Sequence, residues 1–315
     1  MNEDLIDRIK ENIAKVIVGK KDVIDLLMTA LLAGGHILID DVPGVGKTKL
    51  ANSLASSLGC DFKRIQFTPD LQPADITGIY YYNQKEGEFL FREGPVMTNI
   101  LLADEINRAV PRTQSSLLEA MEERQVTVEG DLFNIDDPFM VIATQNPVEL
   151  EGTFPLPEAQ LDRFLLKIGM GYPGRSEEAD ILQRFKVNDP LESLDSVVEG
   201  EQIIKMREKA SNVFISDELL DYIVRLCRAT RRDNRLRLGV SPRGSLAVMK
   251  CSLAYAYING RDYVLPDDIQ YLFPVVTAHR LLLTDEAEME DITKNEIIKD
   301  IQNSIEVPVE EITHE

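Results

Sequence analysis

The chain has 315 residues, 44% of them apolar, and its 54 acids outnumber 34 Lys and Arg to leave a net charge of −20. That length buries a substantial core and reads as two domains, while the charge repels nucleic-acid phosphate over most of the surface. There is no apolar run of the roughly 18 residues that a membrane span requires. The opening MNEDLIDRIK is acidic where a signal peptide is basic. Cys60, Cys227 and Cys251 are far apart, and so are His36, His279 and His314, so neither set has metal-site spacing. A soluble, cytoplasmic protein is expected.

In chain order, apolar β-branched runs alternate with helical patterns: strands are expected at 36–40, 62–68, 100–105, 139–146 and 165–172. Alternation of this kind predicts an α/β layer on a parallel sheet. Residues 79–91 and 125–135 read as hairpins turning near Gln84–Gly87 and Glu129–Asp131. After Tyr172 comes an acidic, loosely patterned segment, and from about 196 the pattern is helical: 201–214, 216–230, 241–258 and 266–283. Ser216 and Ser241 are candidate N-caps, the latter followed by Pro242 at the first helical position. The expected division is a core at 1–172, a linker at 173–195 and a helical domain at 196–315.

Between the first strand and the next helix stands DDVPGVGKTKL. A phosphate loop has this form because backbone N–H groups at a helix N-terminus point at the anion while a lysine adds charge. Pro43, Gly44, Val45, Gly46, Lys47, Thr48 and Lys49 are the candidate contacts. The first glycine of the pattern is replaced by Asp41, next to Asp40. A carboxylate there must point away from phosphate or weaken its binding.

Hydrolysis needs a magnesium carboxylate and a group that activates water. Asp104 and Glu105 end the apolar run NILLADE: Asp104 is the candidate Mg²⁺ ligand with Thr48, and Glu105 the candidate base. Asn146, at the end of FMVIATQN, is placed to donate to a γ-phosphate or orient water, or else to make a local turn before Pro147.

VPGVGKT, LLADEINRAVPRTQSSLLEAMEERQVTVEG, FMVIATQNP, TFPLPEAQLDRFLLKIGMGYPGR and LGVSPRGSLAV together resemble the MoxR family of AAA+ ATPases, over about residues 5 to 285. The resemblance implies an αβα P-loop sandwich with strand order 5-1-4-3-2, a C-terminal helical lid, and ATP with Mg²⁺ held at the subunit borders of a ring of six. It also implies a hairpin inserted in the second core helix, matching 79–91, and a second before the sensor strand, matching 125–135. Family P-loops also carry an Asp at the position of Asp41.

By the same resemblance Arg163 corresponds to the arginine finger and Arg243 to the sensor 2 residue touching nucleotide from the lid. The alternatives are an ion pair on an exposed helix for Arg163 and a solvated first turn for Arg243, where the helix dipole disfavours a cation. Val18 and Gly19, in the stretch Val16 to Lys20, are the expected adenine contacts, or form a plain helix-to-helix turn.

Seven arginines between Arg225 and Arg243 oppose the general acidity. They suit a solvated helix end, a subunit border or a nucleic-acid patch. The last is placed third, since no stacking aromatics accompany them. Three functions follow: an ATP-driven remodeller that matures or activates partner proteins, a nucleic-acid motor, and a nucleotide-gated scaffold with little turnover. For the first, the family implies a partner bearing a von Willebrand factor A domain.

Overall fold

The computed structural model describes residues 2–147, 152–186 and 188–308. The expected lid's tail at 309–315, with His314, lies outside the described residues. Five strands, β1 (Ile37–Asp40), β2 (Phe62–Gln66), β3 (Ile100–Asp104), β4 (Met140–Gln145) and β5 (Leu166–Ile168), form one sheet. Every pairing is parallel, in the order β2-β3-β4-β1-β5, which is 5-1-4-3-2 read from the other edge, as expected.

Successive side chains of a strand face opposite ways, and the two faces here enter two apolar clusters. Ile37, Ile39, Ile100, Leu102, Met140 and Ile142 face helices α1 (Asn2–Ala14), α2 (Lys21–Leu32) and α3 (Lys47–Ser57). Leu38, Leu101, Ala103, Val141 and Ala143 face α4 (Pro111–Glu123). The first cluster continues without a break into the C-terminal helices α6 (Gly200–Ser211), α7 (Asp217–Thr230), α8 (Pro242–Ile258), α9 (Pro266–Thr277) and α10 (Lys294–Ser304). Ser216 and Ser241 cap α7 and α8 as read from the sequence, accepting from Leu219 N–H at 3.3 Å and Gly244 N–H at 3.2 Å.

The structure corrects three expectations. The acidic segment after Tyr172 contains a helix, α5 (Arg175–Arg184), whose apolar residues are too sparse to show a periodic face. The helix expected over 266–283 ends at Thr277, followed by a 3-10 turn at Ala278–Arg280; Leu282–Leu283 then pairs antiparallel with Leu236–Leu238. The first hairpin, Gly78–Glu93, follows a one-turn helix at Pro73–Thr77 and leads to β3 through 94–99 with no helical continuation. It stands where the second core helix was expected and does not interrupt one.

The second hairpin spans Gln125–Asn134. Phe91 and Phe133 stack across the two hairpins at 3.9 Å, and Tyr80 Oη donates to Asp131 Oδ2 at 2.6 Å. Tyr82 and Phe89, cross-strand partners, remain exposed at the outer end, as does Leu132.

Candidate functional site

Parallel register brings the C-terminal ends of four strands to one edge. Asp40 lies beside Gln145, Ala103 beside Ala143, and Gln66 beside Asp104. The phosphate loop leaves β1 at this edge. Gly44 and Gly46 adopt φ of +85° and +94°, and a Cβ at either would stand in open space. Backbone conformation therefore selects glycine here. Gly46 is the N-cap of α3, Lys47 its first residue, and Thr48 lies in its first turn. Lys47 is buried, and its ammonium curls back over the loop to donate to the Asp41 carbonyl at 2.8 Å.

Asp41 turns its carboxylate away from this loop. Oδ2 accepts from the N–H groups of Met170 at 2.6 Å and Gly171 at 2.5 Å, and Oδ1 from Val42 N–H at 2.8 Å. Asp40 is matched by the Lys167 ammonium at 2.5 Å. The two acids that stood against a phosphate site are thus satisfied on the β5 side. Of the other candidates, Pro43 and Gly44 are exposed and Val45 is half-buried. Lys49 is drawn off the loop: its ammonium pairs with Asp189 and lies 4.5 Å from the centre of the Phe185 ring.

Asp104 ends β3 and Glu105 follows it at the loop edge, and Thr144 of β4 ties them together. Its hydroxyl donates to Asp104 Oδ1 at 2.6 Å and accepts from Glu105 N–H at 2.8 Å. Arg64 Nη2 donates to Asp104 Oδ2 at 2.7 Å. Glu105 takes the left-handed conformation at φ 56°, which costs a non-glycine residue about 1–3 kcal/mol and marks a position held by its surroundings. Its Oε2 accepts from Gln66 Nε2 at 2.8 Å and Arg108 Nη1 at 3.0 Å. Asn146 follows β4 two residues beyond Thr144 and is half-buried.

Val18 and Gly19 border the same edge. Lys20 Nζ donates to the Tyr172 carbonyl at 3.1 Å, just past the segment that caps Asp41. At Gly19, with φ +70°, a Cβ would fall 2.0 Å from Glu177 of α5. The left-handed backbone conformation favours glycine there.

The two arginines lie at the opposite edge. Arg163 precedes β5, as His36 precedes β1, and the strand between His36 and the loop spans about 13 Å. Arg163 Nε contacts Glu122 Oε2 at 3.0 Å, and Arg243 Nη1 contacts Glu122 Oε1 at 2.9 Å. They line a cavity of about 360 Å³ with Gly34, His36 and Arg280. Arg243 therefore does not touch the loop of its own chain. His36 is buried behind the cavity: Nδ1 accepts from Val141 N–H at 2.9 Å and Nε2 faces the Met121 carbonyl at 3.0 Å. Burial, helped by the charges of Arg124 and Arg207, lowers its pKa to about 4.

The arginine-rich stretch is partly self-neutralised. Arg225 pairs with Asp221, Arg235 with Asp233 and Asp300, and Arg231 donates to the Val240 carbonyl. Arg228, Arg232, Arg237 and Arg243 are exposed.

Sequence reasoning missed Thr144, Arg64, Gln66, Arg108 and Glu122. Arg64 and Gln66 carried a usable signal, polar residues at alternating positions in a strand whose neighbour ends in two acids. Glu122 carried none, being one acid among several on an amphipathic helix.

Residues 36–166 match the family described as ATPase family associated with various cellular activities (AAA), and 228–301 match the AAA lid domain. The chain is 53% identical over 306 residues to the uncharacterized protein YeaC of Bacillus subtilis, spanning 97% of this chain and 96% of that one. It is 41% identical over 312 residues to chaperone MoxR1 of Mycobacterium tuberculosis, spanning 96% and 82%. A solved structure of a protein from Cytophaga hutchinsonii matches with a TM-score of 0.92 at 39% identity, over 98% of this chain and 96% of that one. Likeness of that extent, on a fold whose loop and strand-end acids meet at one edge, admits one assignment: the chain belongs to the MoxR family of AAA+ ATPases.

Proposed function

We propose that the chain hydrolyses ATP in a ring, with six subunits as the family expectation, and uses the cycle to remodel, mature or activate partner proteins in the cytoplasm. The observation that carries this reading is the split of the candidate machinery between two edges. Lys47, Thr48, Asp104, Glu105 and Asn146 lie at one end of the sheet, Arg163 and Arg243 at the other. A head-to-tail ring joins unlike edges, so each loop would receive the arginine pair of its neighbour. Both arginines then act in trans.

In this reading Lys47 and the N–H groups at the start of α3 bind the phosphates, and Val18 and Gly19 border the adenine. Glu105, freed from Gln66 and Arg108, takes the proton of the attacking water, while Asn146 orients that water. Arg163 and Arg243 neutralise charge developing on the transferred phosphoryl group, an effect worth about 10³–10⁵ in rate for such fingers.

The donor set fits Mg²⁺, a cation that takes hard oxygens and retains water, so that one or two protein ligands suffice beside phosphate oxygens. Thr48 supplies the hydroxyl. Both oxygens of Asp104 already accept hydrogen bonds, which suits contact through bound water. When bound, the cation neutralises phosphate charge.

Residues 1–172 are proposed as the ATPase core and 196–315 as the lid. A protein with a von Willebrand factor A domain is proposed as partner, supported by the family and by the apolar hairpin edge of Tyr82, Phe89 and Leu132, surface of a kind that marks protein contacts. Titrating such a protein against the Glu105→Gln variant tests the coupling. Tighter binding with ATP than with ADP is expected, and equal affinity in both states removes the claim.

A further inference from the structure

Arg280 is a buried arginine for which the proposed chemistry has no use. It sits in the turn after α9, and burial lowers its pKa against the opposing effect of Asp162. Most of its guanidinium's bonds go to the four-residue segment that contains Arg163, while Nη1 also donates to the Val276 carbonyl of α9. Nε donates to Asp162 Oδ1 at 2.6 Å, Nη2 to the Phe164 carbonyl at 2.8 Å, and Nη1 to the Leu165 carbonyl at 3.2 Å. The backbone is held just before and just after Arg163, while the Arg163 side chain points out to Glu122.

The lid arginine is tied to the same point. Asp162 Oδ2 lies 3.4 Å from Ser241 Oγ, the cap of the helix that carries Arg243. At Gly244 a Cβ would come within 3.1 Å of Arg280 Cδ, so α8 lies directly against the arginine stem. One guanidinium therefore fixes the finger segment and abuts the helix bearing the second arginine. His279 adds a further tie, its Nε2 lying 3.0 Å from the Phe164 carbonyl. A buried charge is expensive to place, and a purely apolar contact would fasten lid to core without giving direction. Four hydrogen bonds from one rigid fork to Asp162, Phe164 and Leu165 fix the orientation of that short segment.

We propose that Arg280, acting through Asp162, is a positioning residue that sets Arg163 and Arg243 in register for the neighbouring subunit's nucleotide. This rests on the reading that Arg163 works in trans. The two claims separate in subunit-mixing experiments. Arg280→Lys keeps the charge but loses the fork, and Asp162→Asn keeps the volume but loses the carboxylate. Each variant alone should lose about 10²-fold in kcat, the cost of misplacing a reacting group by about 1 Å. The ATP affinity of its own loop, read with a fluorescent nucleotide, should change less than about threefold, since the loop lies at the other edge.

Mixed with Glu105→Gln subunits, either variant should regain ATPase, because a Glu105→Gln neighbour brings an intact finger to an intact base. At equal ratio about one border in four is so composed. Arg163→Ala mixed in the same way is the control for the trans reading. Recovery with Arg163→Ala but not with assembled Arg280→Lys or Asp162→Asn overturns the positioning role. No recovery with Arg163→Ala, after subunit exchange has been demonstrated, overturns the trans reading itself. Failure of both Arg280→Lys and Asp162→Asn to assemble makes Arg280 a structural fastener and the proposal wrong.

Discussion

Arg163 and Arg243, distant in sequence and from different parts of the chain, stand on the two oxygens of a single carboxylate, that of Glu122, at 3.0 and 2.9 Å. An anion already lies between the two cations, in the place proposed for a neighbour's phosphate. In the proposed ring, Glu122 both aligns the arginines and competes with the neighbour's phosphate.

Competition predicts the outcome for Glu122→Gln. All three side chains are substantially exposed, so the ion pairs contribute less than about 1 kcal/mol to folding and the melting temperature should barely move. The ATP concentration for half-maximal hydrolysis should fall about threefold, as the arginines no longer leave a carboxylate to meet a phosphate. A rise in that concentration, measured by phosphate release, would make Glu122 a support and not a competitor.

Substitutions at the loop edge should separate binding from chemistry. Lys47→Ala removes the ammonium that spans the loop, and nucleotide binding by titration should be lost. Glu105→Gln keeps the backbone bond to Thr144 and should bind ATP normally while turning over about 10²–10⁴ times more slowly, the usual worth of a general base. Turnover at the parent rate would show that Glu105 is not the base.

Asp41→Gly restores the glycine that opens the usual phosphate-loop pattern. Because the carboxylate faces Met170 and Gly171, its removal should not tighten ATP binding. It strands the buried Met170 N–H, and stability should fall by about 1–3 kcal/mol in urea denaturation. Tighter binding by fivefold or more would place the charge back at the phosphates.

His36 supplies a pH dependence. Its pKa falls from 6.5 to about 4 on folding, so the unfolded chain binds the proton first as pH drops. The stability tied to neutral His36 is complete above about 6.5 and is lost progressively down to about 4, with a ceiling near 3 kcal/mol at about 1.4 kcal/mol per pH unit. Urea midpoints over this range should fall more steeply for the parent than for His36→Gln. Equal slopes would show that His36 protonates without strain.

The sheet was legible because its strands are short apolar runs bounded by turns, and the phosphate loop because glycines at positive φ leave a mark in the sequence. Asp104 and Glu105 were legible as charges at the end of an apolar strand. What escaped depends on long-range packing. That Lys49 turns to Asp189, that Arg243 faces away from its own loop, and that Leu282–Leu283 joins a strand are set by which elements come together. No local pattern encodes the sharing of Glu122 by two arginines. The hairpin at Gly78–Glu93 was read correctly from its alternation, but its relation to the second core helix was borrowed from the family and came out differently.

The stacked rings of Phe91 and Phe133 have a mechanical consequence. A two-stranded ribbon standing alone in water is marginal and bends easily; two ribbons joined by an aromatic stack and the Tyr80–Asp131 bond resist bending as a pair. Their outer end carries Tyr82 and Phe89, and the second ribbon runs on into the strand that carries Thr144. A load applied at those exposed rings is therefore borne by a stiff beam rooted one strand away from the hydroxyl that steadies Asp104 and Glu105.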